Sequence, residues 1–198
     1  MSNHVHLVVV PRAPDALAVT LKQTHGRYAE YWNALHGSSG HVWQGRFNLC
    51  PLDYDHLWIA MRYTELNPTR AGLVPRTEMW PWSSALAHSS SGATDDLLEM
   101  ENWRKRWSPE SWKEYLSAGE SESDTKAIRQ CTHTGRPLGE SAFIQSLEET
   151  TQRLLTPLKG GRPKNAPKLT IASQNPLAFA KKDSQPVHLT GTGGDARK

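Results

Sequence analysis

His4 and His6 flank a single valine, and in an extended chain alternate side chains share one face. Their Cα atoms would lie about 6.7 Å apart, close enough for two neutral imidazoles to bind one divalent ion. His-x-His alone is a weak signal, because a chance pair in a buried strand gives the same pattern. Tyr63 and Asn67 form a second pair, four residues apart, which puts both on one face of a helix about 6 Å from each other. A core tyrosine and an asparagine ending the helix before Pro68 account for that pair equally well. A tyrosine can also attack a phosphorus centre when a nearby metal polarises the phosphate and steadies the leaving oxygen. The two histidines and the Tyr–Asn pair would then be complementary halves of one site.

Such a site needs elements to hold it. His4 to Val10 is short, β-branched and closed by Pro11 and Pro14, which predicts a strand. Both of its faces are largely apolar, so it belongs inside a sheet with neighbours on both edges. From Asp15 the stripe Leu17, Leu21, Thr24, Tyr28, Tyr31, Leu35 predicts an amphipathic helix to about His36, before Gly37, with Tyr28, Tyr31 and Trp32 in the core. His41 to Phe47 reads as a second short strand or an extended loop. A second helix starts at Asp53, a good N-cap, and is expected to end near Asn67, since the residue before a proline is disfavoured in α conformation. It carries Trp58, Met61, Tyr63 and Leu66. Trp80 to Ser84 reads as a packed turn and Ser89 to Thr94 as a loop. Four short helices follow: Asp95 to Trp107, Ser108 as cap with Pro109 to Leu116, Asp124 to Cys131, and Glu140 to Leu155. The last two, joined through Thr134 to Gly139, suggest a helical hairpin or a helix-turn-helix, with the plain hairpin the preferred reading. Disorder is expected from about Lys159.

The 198 residues allow one principal core. Apolar residues make up 37%, about 44% with glycine, just under the roughly 45–50% of ordinary globular chains, so a core coexists with polar stretches. No run approaches the roughly 20 apolar residues of a membrane span, and no signal segment follows Met1, so the chain reads as cytoplasmic. Cys50 and Cys131 lack Cys-x-x-Cys spacing; they support neither a disulfide framework nor a zinc knuckle and read as reduced and structural. Net charge is +3, but it divides unevenly: residues 1–92 carry 7 basic and 6 acidic groups, 93–150 carry 7 and 12, and 151–198 carry 9 and 2. A basic terminal arm after an acidic middle suits a polyanionic partner, and solvated tails look similar.

Four ordered segments bear a resemblance: Asn3-His4-Val5-His6-Leu7-Val8, then His41-Val42-Trp43-Gln44-Gly45-Arg46-Phe47, then Arg62-Tyr63-Thr64-Glu65-Leu66-Asn67-Pro68-Thr69-Arg70-Ala71-Gly72-Leu73-Val74, then Trp80-Pro81-Trp82-Ser83-Ser84. In this order they resemble the REP-associated tyrosine transposases, single-tyrosine HUH transposases of the insertion-sequence-200-like kind. The match covers roughly residues 1–90, and Gly135 to Gly139 with the following helix looks like an extension that some members carry. The resemblance implies a ferredoxin-like α+β domain with a divalent metal, Mg²⁺ or Mn²⁺. His4 and His6 would hold the metal with Asn67 as third ligand, and Tyr63 would attack single-stranded DNA beside a short hairpin, leaving a 5′-phosphotyrosine. It leaves open whether the protein acts as a monomer or a homodimer.

The basic residues around these motifs have a matching use. Lys22, Arg27, Arg46, Arg62 and Arg70 could bind phosphates, and Trp43 could stack on an unpaired base; solvated-surface or packing roles fit each as well. Gly160-Gly161-Arg162-Pro163-Lys164 resembles the core of an AT-hook, with Arg162 entering a minor groove, against a flexible basic linker as the alternative.

The expected division is therefore a partial transposase domain over 1–90, a helical extension over 91–157 and a disordered basic tail over 158–198. The family places a strand, a helix and another strand ahead of the His-x-His strand, whereas this chain starts three residues before it. Met1 is accordingly expected to be an internal methionine of a longer protein, and the chain as written to fold poorly or to need a partner. Competing readings are a catalytically inactive DNA-binding remnant, a plain structural module, and a histidine-triad-like nucleotide hydrolase, whose third histidine is replaced here by Val8. A metal-dependent amidohydrolase barrel also opens with His-x-His but needs about 250 residues.

Overall fold

A computed structural model describes residues 4–92 and 96–157. The Arg162 segment and the expected disordered tail lie outside the described residues.

Helix α1 (Ala16–His36) follows Asp15 and stops at Gly37, whose left-handed φ of 58° lets its N–H bond the Asn33 carbonyl. Helix α2 (Tyr54–Arg70) starts where the Asp53 carboxylate accepts from the His56 N–H at 2.9 Å. Contrary to the expected end near Asn67, it continues through Pro68. The proline withdraws only the N–H that would reach back to Thr64, and it does so in the last turn, where the loss is tolerated. Beyond it the Ala71 N–H bonds the Asn67 carbonyl and the Leu73 N–H bonds the Pro68 carbonyl, both at 3.0 Å.

A 3₁₀ turn (Thr77–Met79) and helix α3 (Ala85–Ser89) come next, then α4 (Glu101–Arg106), shorter than the sequence suggested. Helix α5 (Pro109–Ser117) begins at a Ser108/Ser111 capping box with Pro109 in its first turn. Helix α6 (Glu122–Thr134) is capped by Ser121 and ends at Gly135, and α7 (Ser141–Thr151) follows.

The core lies where α5 packs on α2 and α3. Trp58, Trp103, Trp112 and Leu116 are buried there, flanked by Leu57, Met61, Leu66, Met100, Trp107 and Tyr115. At its centre is a carboxylate. Glu65 is 1% exposed and accepts from Ser84 Oγ at 2.5 Å, His88 Nδ1 at 2.5 Å and Trp112 Nε1 at 2.8 Å. Three donors from three other parts of the chain offset the cost of removing this group from water.

The ferredoxin-like α+β expectation is overturned. Among the described residues the structure is helical, with no strand and a single isolated parallel bridge, Leu52 to Leu138. Residues 4–10 are irregular, and Val5, Leu7, Val9 and Val10 are exposed. Their pattern suits a strand, but a strand exists only beside another strand edge, and among the described residues there is none. His41 to Phe47 is likewise a loop. The absent sheet also explains α1. Tyr28, Tyr31 and Trp32 are 42%, 62% and 39% exposed rather than in the core, and Leu21 alone is buried, because no other helix packs along this one.

Helices α6 and α7 do not pack along each other as a hairpin. Their connection runs beside the segment entering α2, with the Leu138 N–H on the Pro51 carbonyl at 2.8 Å and the Asp53 N–H on the Leu138 carbonyl at 3.3 Å. Among the described residues no helix is long and apolar enough to cross a membrane.

Candidate functional site

Helix α2 turns two faces to different tasks. Glu65 points into the aromatic core, while Tyr63 and Asn67, 7% and 8% exposed, lie on a face met by residues 4–6. The His4 and His6 rings are 5.0 Å apart, edge to face, and the His6 ring is 5.6 Å from the Tyr63 ring at 85°. Arg70, two turns beyond Tyr63 and one beyond Asn67, closes the group. Its guanidinium carbon sits 4.3 Å from the Tyr63 ring centre, and its Nη2 donates to the Asn67 side-chain oxygen at 3.1 Å and to the Tyr63 carbonyl at 3.2 Å. Burial, then His4, then the Arg70 guanidinium hold His6 below the ordinary imidazole value.

The other wall comes from the region after α5. Arg129 of α6 donates from Nε to the Tyr63 hydroxyl at 3.5 Å, at the long end of the hydrogen-bond range. Arg70 pairs with Glu120, and buried Arg62 pairs with Asp124 at 3.5 Å while lying 4.2 Å over the Tyr115 ring. Two arginines of α2 thus meet carboxylates of the acidic segment, and α6 stands over the Tyr63 hydroxyl.

The His4 and His6 ring centres, 5.0 Å apart, put two imidazoles side by side, a donor type that suits Mn²⁺ better than Mg²⁺. Among the described residues no group of three or more His, Cys, Asp or Glu side chains is arranged for a metal, and the Asn67 amide oxygen accepts from Arg70.

Among the described residues no hydrogen bond, ion pair or ring contact joins Lys22, Arg27, Trp43 or Arg46 to this cluster. Lys22 and Arg27 are exposed on α1, and Arg46 is exposed in the 41–47 loop. Trp43 is engaged with α1: its ring stacks on His25 at 4.0 Å and its indole N–H donates to the His25 carbonyl at 3.0 Å. Arg62 points to Asp124 and Tyr115, and Arg162 is outside the described residues. Sequence reasoning missed Arg129, Glu120 and Asp124, which no motif marks. The only signal for Glu120 and Asp124 was the acidic excess of the middle segment, which reads equally as solvated surface, and Arg129 had none.

Comparison with family models, with curated proteins and with solved structures finds no match to this chain.

Proposed function

We propose that the chain cleaves and rejoins single-stranded DNA beside a hairpin, with Tyr63 as nucleophile. The observation that carries this reading is the approach of His6, with His4 behind it, to the ring of Tyr63, from segments far apart in sequence. In the proposed step the Tyr63 phenolic oxygen bonds to the scissile phosphorus and the P–O3′ bond breaks. The phenolic proton departs and the 3′-oxygen takes one up. The ester energy stays in the 5′-phosphotyrosine, so a 3′-hydroxyl can reverse the step without ATP.

His4, His6 and the Asn67 amide oxygen would hold Mg²⁺ or Mn²⁺, which when bound supplies Lewis-acid polarisation of the phosphate. Arg70 and Arg129 bring positive charge to the ring and hydroxyl of Tyr63, where negative charge develops. A DNA substrate goes with a cytoplasmic location.

A second reading, a DNA-binding protein without nuclease activity, is favoured by the cover over Tyr63 and by the carboxylates already paired with Arg62 and Arg70. Incubation of the full chain with labelled single-stranded hairpin DNA and Mn²⁺, followed by denaturing electrophoresis, separates the two. The nuclease reading expects a denaturation-resistant protein–DNA band that Tyr63→Phe abolishes. DNA retained under native conditions by both proteins, with no such band, establishes the second reading instead.

A further inference from the structure

Cys50 and Cys131 are far apart in sequence, yet the fold gathers both thiols around one peptide unit. The Leu138 N–H bonds the Pro51 carbonyl at 2.8 Å, which locks the Pro137–Leu138 peptide beside the residue that follows Cys50. Cys50 Sγ lies 3.8 Å from that same Pro51 carbonyl, and Cys131 Sγ lies 3.7 Å from the Pro137 carbonyl. Gly135, which ends α6, reaches the same place: a Cβ built on it would stand 3.7 Å from the Leu49 carbonyl. Two backbone bonds, which together make the Leu52–Leu138 bridge, therefore hold the segment before α2 against the connection that follows α6. Both cysteines are free and half-buried.

We propose that Cys50 and Cys131 form a reversible intramolecular disulfide, closed by a peroxide and opened by a small dithiol. Burial and the neighbouring Cys131 push the Cys50 thiol up to about 11, and burial raises Cys131 as well, with Cys50 and Arg136 acting against that rise. In the proposed sequence Cys131 takes the first step. Its sulfur attacks one peroxide oxygen, the O–O bond breaks, and a sulfenic acid and water result. The Cys50 sulfur then attacks the sulfenic sulfur and displaces a second water. Two thiols have lost two electrons and two protons in all, and the peroxide has been reduced to two waters. Neither cysteine belongs to the Tyr63 cluster, so the proposal stands apart from the DNA reading.

The test treats the folded full chain with hydrogen peroxide, blocks remaining thiols with a maleimide, and measures intact mass and non-reduced peptides. The expected result is loss of two hydrogen masses, no maleimide uptake, a cross-linked Cys50–Cys131 peptide, and full reversal by dithiothreitol. The same treatment in denaturant should give much less of that peptide, since folding supplies the proximity. In Cys50→Ser the reaction should stop at a Cys131 sulfenic acid that dimedone traps. Two maleimide-reactive thiols after peroxide, cysteines linked only between chains, or equal cross-linking in the denatured chain would each overturn the proposal.

Discussion

Arg129 of α6 donates a hydrogen bond to the hydroxyl of Tyr63, on α2, from a position that no sequence motif marks. A charged donor at a phenolic oxygen does most when that oxygen gains negative charge, and such bonds are worth about 1.5–3 kcal/mol. Arg129→Ala is expected to slow formation of the covalent DNA adduct roughly tenfold or more while leaving DNA affinity nearly unchanged. Single-turnover gels beside a binding titration check this, and a faster reaction would instead show that α6 shields the tyrosine.

Glu120 occupies the guanidinium of Arg70, which lies over the ring of the candidate nucleophile Tyr63. Glu120→Gln removes the competing charge and frees Arg70 for a phosphate. Single-stranded DNA should bind more tightly, and the slope of log K against log salt should steepen by about 0.7. Fluorescence anisotropy across a potassium chloride series measures both, and an unchanged slope would mean that Arg70 contacts no phosphate.

The buried carboxylate of Glu65 collects three donors, and removing it leaves them in the core without an acceptor. Glu65→Ala is expected to cost about 3 kcal/mol or more in urea unfolding. Trp112→Phe deletes one donor and part of a side chain and should cost less, about 1–3 kcal/mol.

Asp53 links two elements by capping α2 and accepting from the Glu140 N–H at 2.7 Å. Burial pushes its carboxyl up, but the His56 and Glu140 N–H groups and the His56 ring outweigh it, so the pKa falls below the ordinary 3.8. A carboxyl depressed in the folded state adds stability above its unfolded pKa and loses it as pH drops through the folded one. Asp53→Ala should therefore cost about 1 kcal/mol at neutral pH. The gap to the parent protein should shrink as the solution is acidified below the ordinary carboxylate value, which denaturation series at several pH values will show.

The apolar run at 4–10 exposes Val5, Leu7, Val9 and Val10 together, the kind of surface that associates with its like. Sedimentation velocity should show concentration-dependent self-association. Val10→Lys, at a residue 78% exposed, should weaken it without lowering thermal stability.

What could be read in advance was local. Gly37 ends α1, and Ser108-Pro109 opens α5, because capping is settled by residues within one turn. The juxtaposition of His6 and Tyr63 was expected only because separate motifs suggested a shared ion. Non-local facts were not legible. A Val-rich run is a strand only if something pairs with it, and the α1 stripe is core only if something covers it. Glu65 looked like any helix glutamate, since its donors lie 19, 23 and 47 positions away. The meeting of Cys50 with Cys131 depends on the path of the connection after α6, which no spacing encodes.

Half of the eight tryptophans gather in one place, with Trp107 and Trp112 crossing at 75° and 5.1 Å and Trp103 and Trp112 at 75° and 6.1 Å. Indoles so close and so steeply inclined share their excited states. The near-ultraviolet circular dichroism of this chain will therefore be dominated by the α2–α5 core, giving an optical signal for that region without any label.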